Sequence, residues 1–325
     1  MKVCIYGAGA IGGWIGHGLA RAGASVSVVA RGATLDALRA NGLQLIQAGS
    51  ATAQAVACSA VPQELGVQDV VVISVKAPAL AEVAKGIAPL IGPNTVVMTA
   101  MNGVPWWFLH GFGGAFAGHS LTSIDPHARI ASQIAPQHIV GCVVHASCSV
   151  DAPGIVRHHF GNKLIIGEPS GVATARATQL AALFAAAGFE AQLSEQIQKD
   201  IWFKLWGNMT VNPVSALTGA TTDLILNDEL VRTFISSVML EAREIGHRLG
   251  IEIDQQPADR HAVTLKLGAF KTSMLQDVEA GKAVELDALV TAVKELGTLT
   301  QVATPYTDAL LGLARLQARV RGLYA

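Results

Sequence analysis

The stretch "CIYGAGAIGGWIGHGLARAG", residues 4–23, constrains the fold more than any other part of the chain. A short apolar run leads into Gly7-x-Gly9-x-x-Gly12, and the residues after it follow a helical pattern. Gly7 permits a tight turn, Gly9 lets the backbone approach a pyrophosphate, and Gly12 lets helix and strand pack closely. The phosphates would sit on the helix N-terminus, where free N–H groups and the helix dipole favour anions. Gly7, Ala8, Gly9, Ala10, Ile11 and Gly12 are therefore the candidate cofactor contacts. A lone GxGxxG is equally a glycine-rich turn. Its position after the first strand and at the opening of a helix favours a dinucleotide site.

An enzyme of the NAD(H) type places Asp or Glu about 20 residues further on, at the end of the second strand. This chain has "VVARG" there, with no acid between Ser27 and Gly32. Arg31 takes the strand end, where a guanidinium can grip a 2′-phosphate in bidentate fashion. The expected cofactor is NADP(H). Lys76 follows the strand "VVVISV" and Asn102-Gly103 follows "TVVMTA". Ligands of open α/β sheets bind outside the carboxyl ends of the strands, so both join the candidates. Taken alone, Lys76 reads equally as a solvated lysine and "NG" as a plain turn.

"KVCIY", "SVSVVA", "VVVISV" and "TVVMTA" are continuous apolar runs bounded by Gly, Pro or Asn. Such runs suit strands buried on both faces of a parallel sheet with crossover helices. "IVGCVVHASCSV", "GIVRHHF" and "KLIIGEP" predict a more antiparallel extension of that sheet. From about Ser194 the apolar spacing becomes i, i+3, i+4, i+7, including "ELVRTFISSVMLEAREIGHRLG" and "TPYTDALLGLARLQARV". Thr304-Pro305 reads as an N-cap followed by Pro at the first helical position. At 325 residues the chain suits two domains. The expectation is a mostly parallel α/β domain of the Rossmann type over 1–194 and an all-α domain over 195–325.

With a net charge of −1 and no Lys/Arg run, a nucleic-acid or anionic-membrane surface is not expected. Cys4, Cys58, Cys142 and Cys148 lack CxxC spacing, so reduced thiols in a cytoplasmic protein are expected. His158 and His159 are adjacent in a strand pattern and point to opposite faces, and no HxH or HExxH occurs. No metal site is expected. The N-terminal glycines interrupt any signal-peptide core, and prolines break the uncharged stretch 86–124 before it could span a membrane.

"DIWFKLWGNMTVNPVSALTG", residues 200–219, reads as a helix that breaks helix rules. Lys204, Asn208 and Asn212 recur at i, i+4 and i+8, advancing only about 40° per step, so they form one polar stripe. Pro213 cannot donate to the carbonyl of Met209 and predicts a kink. The stripe suits the lining of a site. From spacing alone it reads equally as a snorkelling lysine and two loop-tying amides.

"GAGAIGG", "VVARG", "SVKAPAL", "MNGV", "WFKLWGNMTVNPVSALTG" and "TSMLQDVEAGKAVELD", in that order, resemble the ketopantoate reductase (2-dehydropantoate 2-reductase) family. The resemblance runs from Met1 to about Asp287. It implies reduction of ketopantoate to pantoate with NADPH, on the route to pantothenate and coenzyme A. It also implies a 6-phosphogluconate-dehydrogenase-like helical domain and an active site in the cleft between the domains. By the matching motifs Lys204 is the catalytic lysine and Glu285 the acid that helps fix substrate and lysine. Asn208, Asn212 and Ser273 contact substrate, Ser273 through its carboxylate. Lys76 and Asn102 lie beside the nicotinamide, and Arg31 holds the 2′-phosphate.

Hydride delivery to a 2-keto carbon leaves an alkoxide, which needs a proton donor and a positive charge. Lys204 can supply both, and the apolar Trp202, Trp206 and Phe203 are expected to ease its proton release. The chain departs from the family at Phe270, where many members carry a substrate-gripping Asn. It also carries a long apolar segment, "PWWFLHGFGGAFAGH" from Pro105 to His119, for which a lid, a dimer surface and a substrate wall are open readings. These departures touch the substrate more than the reaction, and a bulkier 2-oxo acid stays open. A non-catalytic NADP(H) sensor needs the glycine loop and Arg31 but has no use for the Lys/Asn/Asn stripe. No interface is legible in the sequence; family members vary in assembly, and a homodimer is allowed for.

Overall fold

The computed structural model describes all 325 residues, which form two compact units. The first comprises Met1–Met101 and Ala128–Ile197; the second comprises Asn102–His127 and Gln198–Ala325.

In the first unit, chain order runs β1 (Lys2–Tyr6), α1 (Ala10–Arg21), β2 (Ser25–Val29), α2 (Gly32–Asn41), β3 (Leu43–Gln47), β4 (Ser50–Gln54) and β5 (Ala57–Ser59). β6 (Val70–Ile73), α3 (Leu80–Gly86) and β7 (Val96–Thr99) follow, then β8 (Ile139–Ala152), β9 (Ile155–Gly167), α4 (Ala175–Ala186) and β10 (Glu190–Leu193). The strands make one sheet in the order β4-β3-β9-β8-β7-β6-β1-β2-β5, with β10 beside β9. From β5 through β8 every neighbouring pair is parallel. The expected antiparallel extension is the β8–β9 hairpin, in which "GIVRHHF" and "KLIIGEP" fall on one strand. The antiparallel β3–β4 pair lies outside that expectation, and β3 and β10 join β9 in parallel.

β1, β6 and β7 are apolar on both faces because both are covered, so Ile5, Val71, Val72, Val97 and Met98 are fully buried. α1 packs through Trp14, Ile15 and Leu19 into the same core as Leu43, Val156 and Phe189. From β1 the chain steps to β2 on one side and later to β6 on the other. That reversal makes the carboxyl end of β1 the topological switch point, where α/β sheets bind ligands.

The second unit is helical beyond its N-terminal segment. α5 (Ile197–Thr218), which enters it at Gln198, is followed by α6 (Thr222–Asn227), α7 (Glu229–Arg248), α8 (Pro257–Leu265) and α9 (Ser273–Glu279). A π-turn at Asp287–Thr291 leads into α10 (Ala292–Thr300), and α11 (Pro305–Val320) completes it. α5 is held to α7 by two buried indoles, with Trp202 Nε1 donating to the Ala242 carbonyl at 3.2 Å and Trp206 Nε1 to Met239 at 2.7 Å.

A cut at 194/195 assigns residues 102–127 to the first domain, but they pack into the helical unit. The Val104 N–H donates to the Ala288 carbonyl at 2.8 Å, and the Glu295 carboxylate accepts from the backbone and hydroxyls of Thr122 and Ser123. Trp106, Trp107 and Phe108 are buried there, Phe108 lying 5.8 Å from the Trp202 ring. The apolar segment is thus core of its own unit, which accounts for its composition.

α5 is one continuous helix with Pro213 inside it, and one local expectation changes. Thr304 does not cap α11 with its side chain. Glu241 of α7 does so instead, accepting from the N–H groups of Tyr306 and Thr307 at 2.8 Å each.

Candidate active site

In the first unit the glycine loop closes the β1–α1 turn. Gly7 has φ +102°, a conformation open to glycine at little cost, and its carbonyl accepts from Ser74 Oγ at 2.8 Å. A Cβ on Gly12 would come 2.1 Å from both that carbonyl and that hydroxyl, so only glycine lets α1 approach β1 and β6 this closely. Gly9 precedes the first turn of α1 and has nothing within 4 Å of a built Cβ. The first N–H groups of α1 have no intrahelical acceptor. The residues present fit a pyrophosphate.

Arg31 sits at the end of β2, exposed, as the residue that precedes α2. Its guanidinium lies close enough to the Tyr6 phenol to act on its titration. Burial raises that phenol above its ordinary value, and the positive Arg31 partly offsets the rise. Lys76 is half-buried just beyond β6, where its carbonyl accepts from Ala79 at 2.9 Å. The loop, Arg31 and Lys76 therefore share the carboxyl-end side of one sheet, on either side of the switch point.

In the second unit α5 carries the polar stripe. Lys204 and Asn208 are half-buried and Asn212 is 7 % exposed. Lys204 Nζ donates to Asn102 Oδ1 at 2.8 Å. Asn102 begins the segment that the π-turn holds down. Gly103 (φ +83°) lies so close to Ala288 that a Cβ would meet its carbonyl at 2.5 Å. Glu285, half-buried, stands three residues before Ala288, and its carbonyl accepts from Leu289 at 3.3 Å. A π-turn in such a place is a frequent mark of a functional site. The chain thus assembles lysine, amide and the acid-bearing turn from three distant segments.

Trp202 and Trp206 do not surround the lysine. At two residues on either side of Lys204 they point about 160° away around the helix, into α7. Phe203 is the neighbouring aromatic on the Lys204 side. Ser273 is exposed at the first position of α9, with Thr272 as its N-cap. Phe270 is half-buried and its carbonyl accepts from Thr222 at 3.0 Å.

The ketopantoate reductase PanE/ApbA model matches residues 3–171, and the model of the C-terminal domain of the same proteins matches 196–318. The chain belongs to the ketopantoate reductase family. It is 46 % identical to a 2-dehydropantoate 2-reductase of Mesorhizobium japonicum over all of both chains. Among solved structures, a protein of Ralstonia solanacearum MolK2 described as a ketopantoate reductase superposes with TM-score 0.96 at 54 % identity, over 99 % of each chain. D-mandelate dehydrogenase with NADH and anilino(oxo)acetate, at 21 % identity and TM-score 0.84 over 99 % of this chain and all of that one, shares the fold alone. Membership makes this chain an NADP-dependent oxidoreductase that acts on a CH–OH group. No helix is long and apolar enough to cross a membrane.

Sequence reasoning missed Ser74, which carries no signal because it acts on Gly7, far away in sequence. The reason for the "NG" pair at Gly103 is close backbone contact with Ala288 rather than a plain turn.

Proposed function

We propose that the protein reduces 2-dehydropantoate to pantoate with NADPH in the cytoplasm, supplying pantothenate and coenzyme A synthesis. The observation that carries this reading is the 2.8 Å hydrogen bond from Lys204 to Asn102, which joins two motifs of the family order in one place. The bound dinucleotide supplies the hydride. Lys204 gives a proton to the substrate oxygen as the carbon–oxygen π bond becomes an O–H bond, and is left as the neutral amine. Asn102 accepts from the ammonium at 2.8 Å and so orients Nζ without adding a charge. Asn208 and Asn212 continue the stripe with neutral donors and acceptors, and Glu285 balances the lysine charge. Gly7 to Gly12 hold the pyrophosphate on the N-terminus of α1, Arg31 holds the 2′-phosphate, and Lys76 lies toward the nicotinamide. Ser273 contacts the substrate carboxylate.

A second reading keeps the chemistry and changes the substrate. Phe270 replaces an amide that could grip a polar substrate, which favours a bulkier or more apolar 2-oxo acid. The test is NADPH consumption by the purified protein with a panel of 2-oxo acids. Ketopantoate should give the highest kcat/KM; equal turnover of other branched 2-oxo acids would rule out the named substrate. NADP(H) binding without turnover of any oxo acid would make the protein a sensor.

A further inference from the structure

Arg260 of α8 carries a half-buried guanidinium that the functional reading leaves unused. Its Nε is sealed from water and has no hydrogen-bond acceptor. Its Cζ lies 5.3 Å from the centroid of the Phe203 ring. Burial lowers its affinity for a proton, and no carboxylate of the protein compensates. A guanidinium N–H sealed away without an acceptor is costly, and an anion bound at the terminal amino groups would offset that cost.

Its position names the anion. Phe203 and Gly207 are one helical turn apart on α5, and each directly precedes a stripe residue, Lys204 and Asn208. A Cβ on Gly207 would lie 2.7 Å from Arg260 Nε and 3.1 Å from Nη2, so the missing side chain is what lets the guanidinium lie along the helix. The Phe203 ring adds a cation–π contact that holds the guanidinium there. The terminal amino groups, unlike Nε, are not sealed. A planar fork donor along α5, about 100° around the helix from the Lys204–Asn208 stripe, is suited to a carboxylate next to the 2-oxo group that Lys204 protonates.

We propose that Arg260 is a substrate-binding residue, its guanidinium holding the carboxylate of the 2-oxo acid beside Lys204 and Asn208. This rests on the reductase reading above, which places the substrate on the Lys204 stripe. It also explains how the site can do without an amide at position 270, because a charged donor replaces a neutral one. Ser273, neutral and exposed, is then a secondary contact.

The test compares wild type with R260Q, R260K and G207A, using ketopantoate and its neutral methyl ester. R260Q should raise KM for the acid at least about tenfold, in line with loss of a charge-assisted hydrogen bond. KM for NADPH should not move, and the penalty should be absent with the ester. R260K should recover part of the loss. G207A, which alters no charge, should copy R260Q by displacing the guanidinium, a shift that a flexible side chain accommodates without unfolding. Equal losses on acid and ester, or an unchanged KM for the acid, would overturn the proposal. Calorimetric titration of pantoate into the NADP⁺-bound protein separates it from the reductase reading. Binding that weakens in R260Q supports the carboxylate contact even if no oxo acid is turned over, and binding equal in both proteins refutes it.

Discussion

Lys204 Nζ donates to Asn102 Oδ1 at 2.8 Å, tying the middle of α5 to the first residue of a segment held down by the π-turn. An amine on four rotatable bonds is a poor general acid unless something fixes it. Asn102 does so without adding a charge. Asn102→Ala should lower kcat about tenfold, the scale of one hydrogen bond to a charged group, and leave KM for NADPH within about twofold. Lys204→Ala should cost about 10²- to 10⁴-fold in kcat. Steady-state kinetics with ketopantoate measures both, and an Asn102→Ala variant with undiminished kcat would sever the amide from the mechanism.

Arg31 decides the cofactor if it meets the 2′-phosphate. Arg31→Gln should reduce kcat/KM for NADPH by roughly 10- to 100-fold, the loss of one charge-assisted contact, and spare NADH. Parallel reduction of both activities would show that the residue serves the fold. Tyr6 gives an optical check, because Arg31 partly offsets the rise in its phenol pKa. In the variant the Tyr6 titration should move further upward in alkali.

Both candidate sites owe their legibility to local rules. Gly7-x-Gly9-x-x-Gly12 is readable because a strand-to-helix turn and a close approach each exclude a Cβ at a fixed spacing. The Lys204, Asn208, Asn212 stripe is readable because helical periodicity puts them on one face. What stayed hidden is long-range. Nothing near Thr304 says that Glu241 will cap α11, and nothing near Trp106 says that the segment fills the helical unit. Proximity in sequence puts the indoles of Trp202 and Trp206 around Lys204, whereas helix geometry sends them to α7. Arg260 shows the same limit, since its meaning depends on Gly207 and Phe203 of another helix.

Gly12 is a sharper probe of the dinucleotide turn than Gly9. A Cβ on Gly9 meets nothing within 4 Å, whereas one on Gly12 meets the Gly7 carbonyl and Ser74 Oγ at 2.1 Å. Gly12→Ala must therefore push α1 off the sheet and break the Ser74–Gly7 hydrogen bond. The expected cost is about 1–3 kcal/mol of stability, the usual range for overpacking, together with a Kd for NADPH raised at least about tenfold. Gly9→Ala should be much milder in stability, with any loss confined to cofactor affinity. Thermal melts with and without NADPH distinguish the two, and equal behaviour would refute the assigned geometry.

Glu295 fastens segment 102–127 to α10, accepting from Thr122 N–H and Oγ1 at 2.8 Å each and from Ser123 N–H and Oγ at 2.9 and 2.5 Å. Burial works against its charge, but the hydrogen bonds from Ser123 and Thr122 outweigh it and hold the carboxyl below the ordinary value of 4.5. A depressed folded value means that the unfolded chain binds the proton more readily. The stabilisation is therefore complete above about pH 4.5, and it is lost as pH falls from there through the folded value. Glu295→Gln keeps the shape but turns an NH₂ group toward donors. It should cost about 1–3 kcal/mol near neutral pH, discounted for the partial exposure of the site. The difference from wild type should shrink in acid, as wild type loses the same contribution. Denaturant unfolding at pH 7 and pH 4 checks the sign: a gap between wild type and variant that widens in acid would contradict it. Because the segment that begins at Asn102 is fastened here, the variant should also lower kcat, through loss of the Lys204–Asn102 hydrogen bond rather than any contact with substrate.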